Sequence, residues 1–398
     1  MQKLLTLLCA LAFVIAFAGV TFAEVQSIKV SGDIQTLGIY RDDYDLNDSA
    51  TGSNDDDRGF VQSAVRVRVD ADLTDNVGTT VRLLNERNWG GDNTASTAVS
   101  QAQLETEGLT TNNDTDIDLD LAYLTLKDFL YSPLTVTVGR QEIRWGNGFV
   151  LGDPDSNDDS EHTLIAPEYS RRKAFDAARA VLDFDPIVVD SFFAHLSEGA
   201  SGTNNDRDLM GLEASYAFSE RSANVAAYFL AERNLVVDTA STTATGWVGG
   251  SQEADTNTEV LGRKVMTAGL RGDIEPTTGL NLMAEGAWQF GDLSPSRDLS
   301  GVAYQAGAAY TLDHQWKPNF RGNFAFFSGE EQANADTQVD EYDGWVANVE
   351  DQTWGIIADQ LSRSAISGGA AGPGAGSDGQ SSDTNMIILN FWGERLPD

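Results

Sequence analysis

The sequence has a single cysteine, Cys9, and it falls inside an apolar leader. Past residue 23 there is no thiol at all, which excludes disulfides, Cys-ligated metal and a thiol nucleophile. Histidine is also scarce: His162, His195 and His314 lie far apart, and neither an H-E-x-x-H nor a G-x-S-x-G motif occurs. Ser191 and His195 fall on one strand parity with no third group to complete a triad, so the pair reads as structural. No glycine-rich phosphate loop follows a strand. A non-enzyme with no cofactor is therefore expected. Basic residues are few as well, 26 Lys and Arg against 61 Asp and Glu, for a formal charge of -35. Such acidity argues against nucleic acid and against docking on anionic lipid through a basic patch. Beyond residue 23 no apolar run approaches the roughly 20 residues of a membrane helix.

The leader itself is the one long hydrophobic run. Met1-Gln2-Lys3 is a short basic start, Leu4 to Phe22 is almost wholly apolar, and Thr21-Phe22-Ala23 offers small residues where a signal peptidase reads. The expected division is a signal peptide over 1–23 and one domain over 24–398. An exported chain of this kind floats in the periplasm, leaves the cell, or spans an outer membrane as a barrel.

From residue 25 onward the dominant pattern is alternation with period two. Val65, Val67, Val69, Ala71 and Leu73 share one parity, while Arg66, Arg68, Asp70 and Asp72 share the other. Met210, Leu212, Ala214, Tyr216 and Phe218 repeat it, as do Leu280, Leu282, Ala284, Gly286, Trp288 and Phe290. The connections discriminate between a sandwich and a barrel. Tight links such as Thr74-Asp75-Asn76, Asp185-Pro186 and Ile274–Thr278 alternate with long ones at 41–61, 89–115, 146–176, 234–263 and 329–383, with a shorter one at 292–300. Short turns at one rim and long loops at the other are the mark of an antiparallel transmembrane β-barrel. About 14 strands are visible, and 16–18 are expected if the chain continues past the given end. Aromatics at strand ends, among them Tyr40, Trp89, Tyr131, Trp145, Trp288, Tyr310, Trp316 and Phe327, read as interfacial girdles.

Charge then sorts by position. Asp42, Asp43, Asp45, Asp48 and Asp55–Asp57 make the first long connection acidic, and Glu330–Asp351 carries eight carboxylates without Lys or Arg. These loops are expected to be solvated, with divalent cations as possible surface partners. Asp153-Pro-Asp155-Ser-Asn157-Asp-Asp159 resembles a calcium loop, yet Asp158 replaces its turn glycine and Leu164 its bidentate Glu. Arginine behaves differently, because Arg66, Arg68, Arg82, Arg179, Arg271 and Arg321 lie within strands. Facing lipid near the midplane each would cost roughly 2–4 kcal/mol, so all six are expected to point inward.

A family resemblance follows from three runs: AYLTL (Ala122–Leu126), VGRQEIRWGNGFVLGDP (Val138–Pro154) and RRKAFDAAR (Arg171–Arg179). A strand ending in GRQ, a Gly-rich rim and a following strand opening FDA-x-R resemble the alginate-export family of outer-membrane β-barrels. Trp345, Trp354-Gly355 and Asp359 resemble that family's extracellular loop before its late strands. The resemblance implies an 18-stranded barrel whose Arg-lined lumen conducts an anionic polysaccharide.

The sequence thus points to a Gram-negative outer-membrane channel, all-β, passing small solutes or an anionic polysaccharide by passive diffusion. Its partners would be outer-membrane lipid, lipopolysaccharide and the solute. Arg66, Arg68, Arg82, Arg140, Glu142, Arg144 and Arg179 are the candidates for lumen selectivity. A secreted or periplasmic glycan-binding β-sandwich is the alternative. Strict alternation from Leu134, Val136 and Val138 would put Arg140, Glu142 and Arg144 on the apolar face. A β-bulge at or beside Gly139 is therefore expected to turn them inward.

Overall fold

The computed structural model describes residues 26–41, 58–89, 117–154, 169–197, 207–237, 260–294, 297–329, 341–346, 349–351 and 386–395. The leader, the first acidic loop, most of the calcium-like run with His162, and Trp354, Gly355 and Asp359 lie outside them. Fifteen strands follow in order: β1 Ser27–Arg41, β2 Arg58–Thr74, β3 Val77–Asn88, β4 Asp118–Leu126, β5 Leu134–Glu142, β6 Ala174–Asp183, β7 Ile187–Ser197 and β8 Arg207–Phe218. They continue as β9 Ala223–Val237, β10 Val260–Thr277, β11 Leu280–Ser294, β12 Arg297–Thr311, β13 Pro318–Phe327, the two-residue β14 Glu341–Tyr342, and β15 Met386–Arg395.

All belong to one sheet in the order β1 through β13, then β15, each antiparallel to its neighbours, while β14 adds in parallel to β12. Among the described residues no ladder joins β1 to β15. Fourteen long strands in sequence order are what the alternation predicts. β2, β9, β10, β11 and β12 run 15–18 residues. A hydrocarbon band takes about 9–11 tilted residues, so these hairpins extend beyond it on the loop side. The β11–β12 connection accordingly shrinks to residues 295–296 instead of the expected 292–300.

The two faces of the sheet carry opposite chemistry. Leu212, Phe229, Leu270, Trp288 and Tyr304 point outward and stay exposed, whereas Glu213, Tyr228, Glu285 and Gln305 on the intervening parity are buried inside. A sandwich needs a second sheet to cover its apolar face; here a single sheet leaves that face uncovered and turns the polar parity in. The glycan-binding sandwich is thereby set aside. Tyr40, Trp89, Tyr131, Trp288, Tyr310 and Trp316 remain exposed as a girdle would have them, but Trp145 and Phe327 are buried in the interior.

The expected bulge at Gly139 is absent. Leu124↔Val138, Tyr123↔Gly139 and Ala122↔Arg140 pair in unbroken register, and β5 continues unbroken against β6. Gly139 takes φ +119° because its backbone closes on β4, where a Cβ would lie 2.2 Å from the Ala122 carbonyl oxygen. The irregularity sits one strand earlier. Between Arg82↔Leu121 and Leu83↔Leu119, Asp120 is the extra residue on β4.

Candidate functional site

Directly after β5 the chain turns into the barrel. Gly146 and Gly148, at φ +56° and +85°, let Ile143–Pro154 fold back, and its apolar side chains find the inner wall. Ile143, Trp145, Phe149 and Leu151 bury with Phe175 of β6, Phe192 of β7, Leu209 of β8, Tyr228 of β9 and Phe327 of β13. Trp145 meets Phe192 edge-on with ring centroids 5.4 Å apart. Burying aromatics of this size stabilises by roughly 1.5–3 kcal/mol each, enough to fix a segment that crosses a polar lumen.

Polar contacts set its orientation. The Trp145 indole N–H donates to Asp190 Oδ2 at 3.0 Å, and Asp190 accepts from Arg179 at 2.9 and 2.7 Å. Asn147 and Gln305 exchange amide hydrogen bonds at 3.1 and 2.9 Å. Tyr228 donates to Glu285 at 2.8 Å, and Arg271 lies 3.0 Å from Glu213. Gly146 rests on Arg271, where a Cβ would come within 2.6 Å of Nη1.

A second segment, Glu341–Asp351, folds in beside the first. Trp345 stacks on Phe149 at 6.4 Å, and its neighbour Val346 exchanges hydrogen bonds with the Gln289 side chain at 2.9 and 2.8 Å. The Gly152 N–H donates to the Val349 carbonyl at 2.7 Å, and the Asp351 N–H to the Gly148 carbonyl at 2.8 Å. Arg144 and Lys173 both pair with the Asp351 carboxylate, and Lys173 also reaches Asp153 at 3.2 Å. The two segments together cover the inner faces of β6 to β15.

The inner wall of β1 to β4 contributes no residue to that apolar cluster; there Leu84 and Leu121 are buried among charged side chains. Arg66 bonds Asp33 at 3.0 Å, Arg68 bonds Asp70 at 2.8 Å, and Arg82 holds both Asp120 and Glu142. Farther along, Arg172 pairs with Asp118 and lies 3.3 Å from Glu86. The Arg68 side chain stays 35% exposed, so solvent within the barrel reaches it.

The structure therefore separates the seven sequence candidates. Arg66, Arg68 and Arg82 share the β1–β4 wall, and Glu142 joins them through Arg82. Arg179, on β6, shares Asp190 with Trp145, and Arg144 lies in the folded-in segment. Arg140 does not join them. With the register unbroken it keeps the outward parity of Val138 and pairs with Asp176 at 2.9 Å near the loop end of β5 and β6. Asp176 offsets the charge that the missing bulge was expected to turn inward. His195 is likewise paired, to Asp208 at 2.9 Å, while Ser191 bonds the Ala180 carbonyl at 3.4 Å, so the two make no nucleophilic pair.

Sequence reasoning pairs Glu213 and Glu285 with the strand arginines, but it missed Lys173, Asp190 and Asp351, and it placed Trp145 in the girdle. The one available signal was W-G-N-G at 145–148, where paired glycines after a strand allow a reversal.

Residues 28–360 match the family model described as Alginate export. The chain belongs to the alginate export family. This family member is an outer-membrane channel, an assignment that its single antiparallel sheet and outward apolar face fit. No curated protein matches it. Among solved structures it is similar to Pseudomonas putida OprB at high pH, with 14% identity over 75% of this chain and 73% of that one, and a TM-score of 0.43. It is similar to a loop L8 deletion mutant of Vibrio cholerae OmpT, with 12% identity over 76% and 82% and a TM-score of 0.40. The outer-membrane channel DcaP of Acinetobacter baumannii matches at 13% identity over 76% and 79%, with a TM-score of 0.39.

Proposed function

We propose that this alginate-export family member is a passive channel for small polar solutes. Their path runs between the charged wall of β1–β4 and the folded-in segments, and a cleaved signal over 1–23 exports the single domain 24–398. One observation carries the reading: the apolar filling covers β6 to β15, whereas Arg66 and Arg68 line the wall it leaves open, with Arg82 beside them buried against Asp120 and Glu142. Cations and carboxylates alternate on that wall, so it can discriminate a solute by its charge. Neither an enzymatic step nor a cofactor enters the proposal. An anionic polysaccharide, the cargo that the family's description names, would need the two segments displaced, because at present they fill the interior with buried aromatics.

Reversal potentials in planar bilayers under a salt gradient test the proposal. Replacing Arg66 and Arg68 together by Gln removes two cations from the wall and is expected to shift preference toward cations. An unchanged reversal potential in a folded, conducting variant overturns it.

A further inference from the structure

We infer that Arg233 and Lys264 form a site on the outer surface of the barrel for a phosphate of lipopolysaccharide, at the loop-side edge of the membrane. The inference goes beyond the channel reading and does not depend on what the barrel conducts.

The site stands on strand register. Asp208 on β8, Arg233 on β9, Lys264 on β10 and Asp292 on β11 lie opposite one another in turn. All four keep the outward parity of Leu212, Phe229, Leu270 and Trp288. Two cations side by side on neighbouring strands repel, and only one of them is offset. The Arg233 Nη2 donates to Asp208 at 2.7 Å, and Asp208 is itself shared with His195 at 2.9 Å. Lys264 is exposed, and its side chain makes no ion pair or hydrogen bond among the described residues. The Arg233 side chain is 46% exposed, so its remaining N–H donors are open to a ligand. A phosphate set between this guanidinium and ammonium relieves their repulsion and accepts charge-assisted hydrogen bonds from both.

The level of the pair picks out its occupant. Met266, Ala268, Leu270, Gly272 and Ile274 face outward below Lys264, so the stretch 265–274 matches the roughly 9–11 residues with which a tilted strand crosses the hydrocarbon. Ile274 ends that stretch beside a tight turn, and the cations therefore stand at the opposite, long-loop rim, which faces the cell exterior. The outer leaflet at that rim is lipopolysaccharide, whose lipid A carries its phosphates directly above its acyl chains. Beneath the cations the surface suits such chains. Phe229 and Phe290 pack across β10 with ring centroids 6.4 Å apart, and Trp288 stacks on Phe290 at 4.6 Å. The formal charge of -35 rules out a broad basic patch, but a headgroup at this level meets only the pair and its immediate neighbours. Asp292 and Asp298, in register beyond Lys264, bound the site on the β11 side.

The test uses the full chain folded in detergent, with folding checked by heat-modifiable migration in gels. Titration with diphosphoryl lipid A in the same detergent, read by native mass spectrometry, counts the lipid bound per barrel. Phosphatidylglycerol and inorganic phosphate are the comparison probes. Arg233→Gln combined with Lys264→Gln is expected to weaken lipid A binding roughly ten-fold or more. Arg221→Gln combined with Lys317→Gln removes the same charge from the turn rim, where both side chains are exposed, and is expected to leave binding within about two-fold. Unchanged binding in the first variant overturns the inference. An equal loss in the second also overturns it, because net charge alone would then govern the attraction. Displacement of the lipid by inorganic phosphate would mark a site for free phosphate, and phosphatidylglycerol binding as tightly as lipid A would mark one for any anionic lipid; either result overturns the assignment to lipopolysaccharide. If the double variant at the site does not fold, Lys264→Gln alone decides: weakened binding supports the inference and full binding overturns it.

Discussion

Arg68 and Arg82 stand directly opposite each other on the inner faces of β2 and β3. Like charges in such a pair repel, and the arrangement holds because each arginine is drawn sideways. Arg68 turns to Asp70 and to the Tyr123 hydroxyl at 3.3 Å, and Asp70 in turn accepts from Thr80 at 2.7 Å. Arg82 turns the other way, to Asp120 and Glu142. The bulge on β4 is what supplies Asp120, whose side chain is only 1% exposed. Asp120→Asn should therefore destabilise the barrel by about 1–3 kcal/mol, the cost of weakening a buried charged partner while Glu142 remains. The urea midpoint in detergent measures this; an unchanged midpoint would show that Glu142 alone suffices.

Gly139 offers a test of register. Its positive φ and the 2.2 Å approach of a Cβ to the Ala122 carbonyl leave no room for a side chain between β4 and β5. Gly139→Ala should cost about 2 kcal/mol or more through backbone strain and a pushed-apart ladder. Folding yield into detergent checks it. A fully stable Ala variant would mean that β4 and β5 pair in some other register.

The same glycine shows what the sequence could and could not convey. Alternation on β2, β8 and β11 was legible because each has one face in lipid and one in the lumen, which imposes a strict period of two. The inward arginines followed from the cost of a lipid-facing charge. That cost was then applied to Arg140 as though every outward residue met hydrocarbon, whereas near the loop end Asp176 opposite it offsets the charge without a bulge. Trp145 and Phe327 failed for a related reason. An aromatic at a strand end reads as girdle, and nothing in the local pattern reports that a later segment will fold inside and cover it. Phe149, Trp345 and Phe327 come together across long sequence separation, and that is a property of the tertiary fold.

Trp145 is the place to loosen the filling. It packs on Phe192 and Tyr228 and donates to Asp190, so one side chain supplies both apolar and polar attachment. Trp145→Ala should cost about 3–5 kcal/mol, as large-to-small changes of buried aromatics do, and should leave Asp190 to Arg179 alone. If the segment occludes the barrel, single-channel conductance rises along with the loss of stability. A destabilised variant with unchanged conductance would place the solute path elsewhere.

Leu270 and Ile274 test the membrane placement itself. Both lie on the outward face of β10, four residues apart, with Leu270 opposite Gly286 and Ile274 opposite Leu282 near the turn. Leu270 is 59% exposed among apolar neighbours, a state that makes sense only if hydrocarbon, not water, covers it. Leu270→Arg should therefore cost roughly 2–4 kcal/mol, whereas Ile274→Arg, close to the interface, should cost about 0–1 kcal/mol. Unfolding from lipid vesicles at matched urea steps measures both. The difference between the two is the informative quantity, because intrinsic strand preference and the added charge are the same in each. Equal and negligible costs would mean that the outward face never meets lipid, and the barrel reading would fall with them.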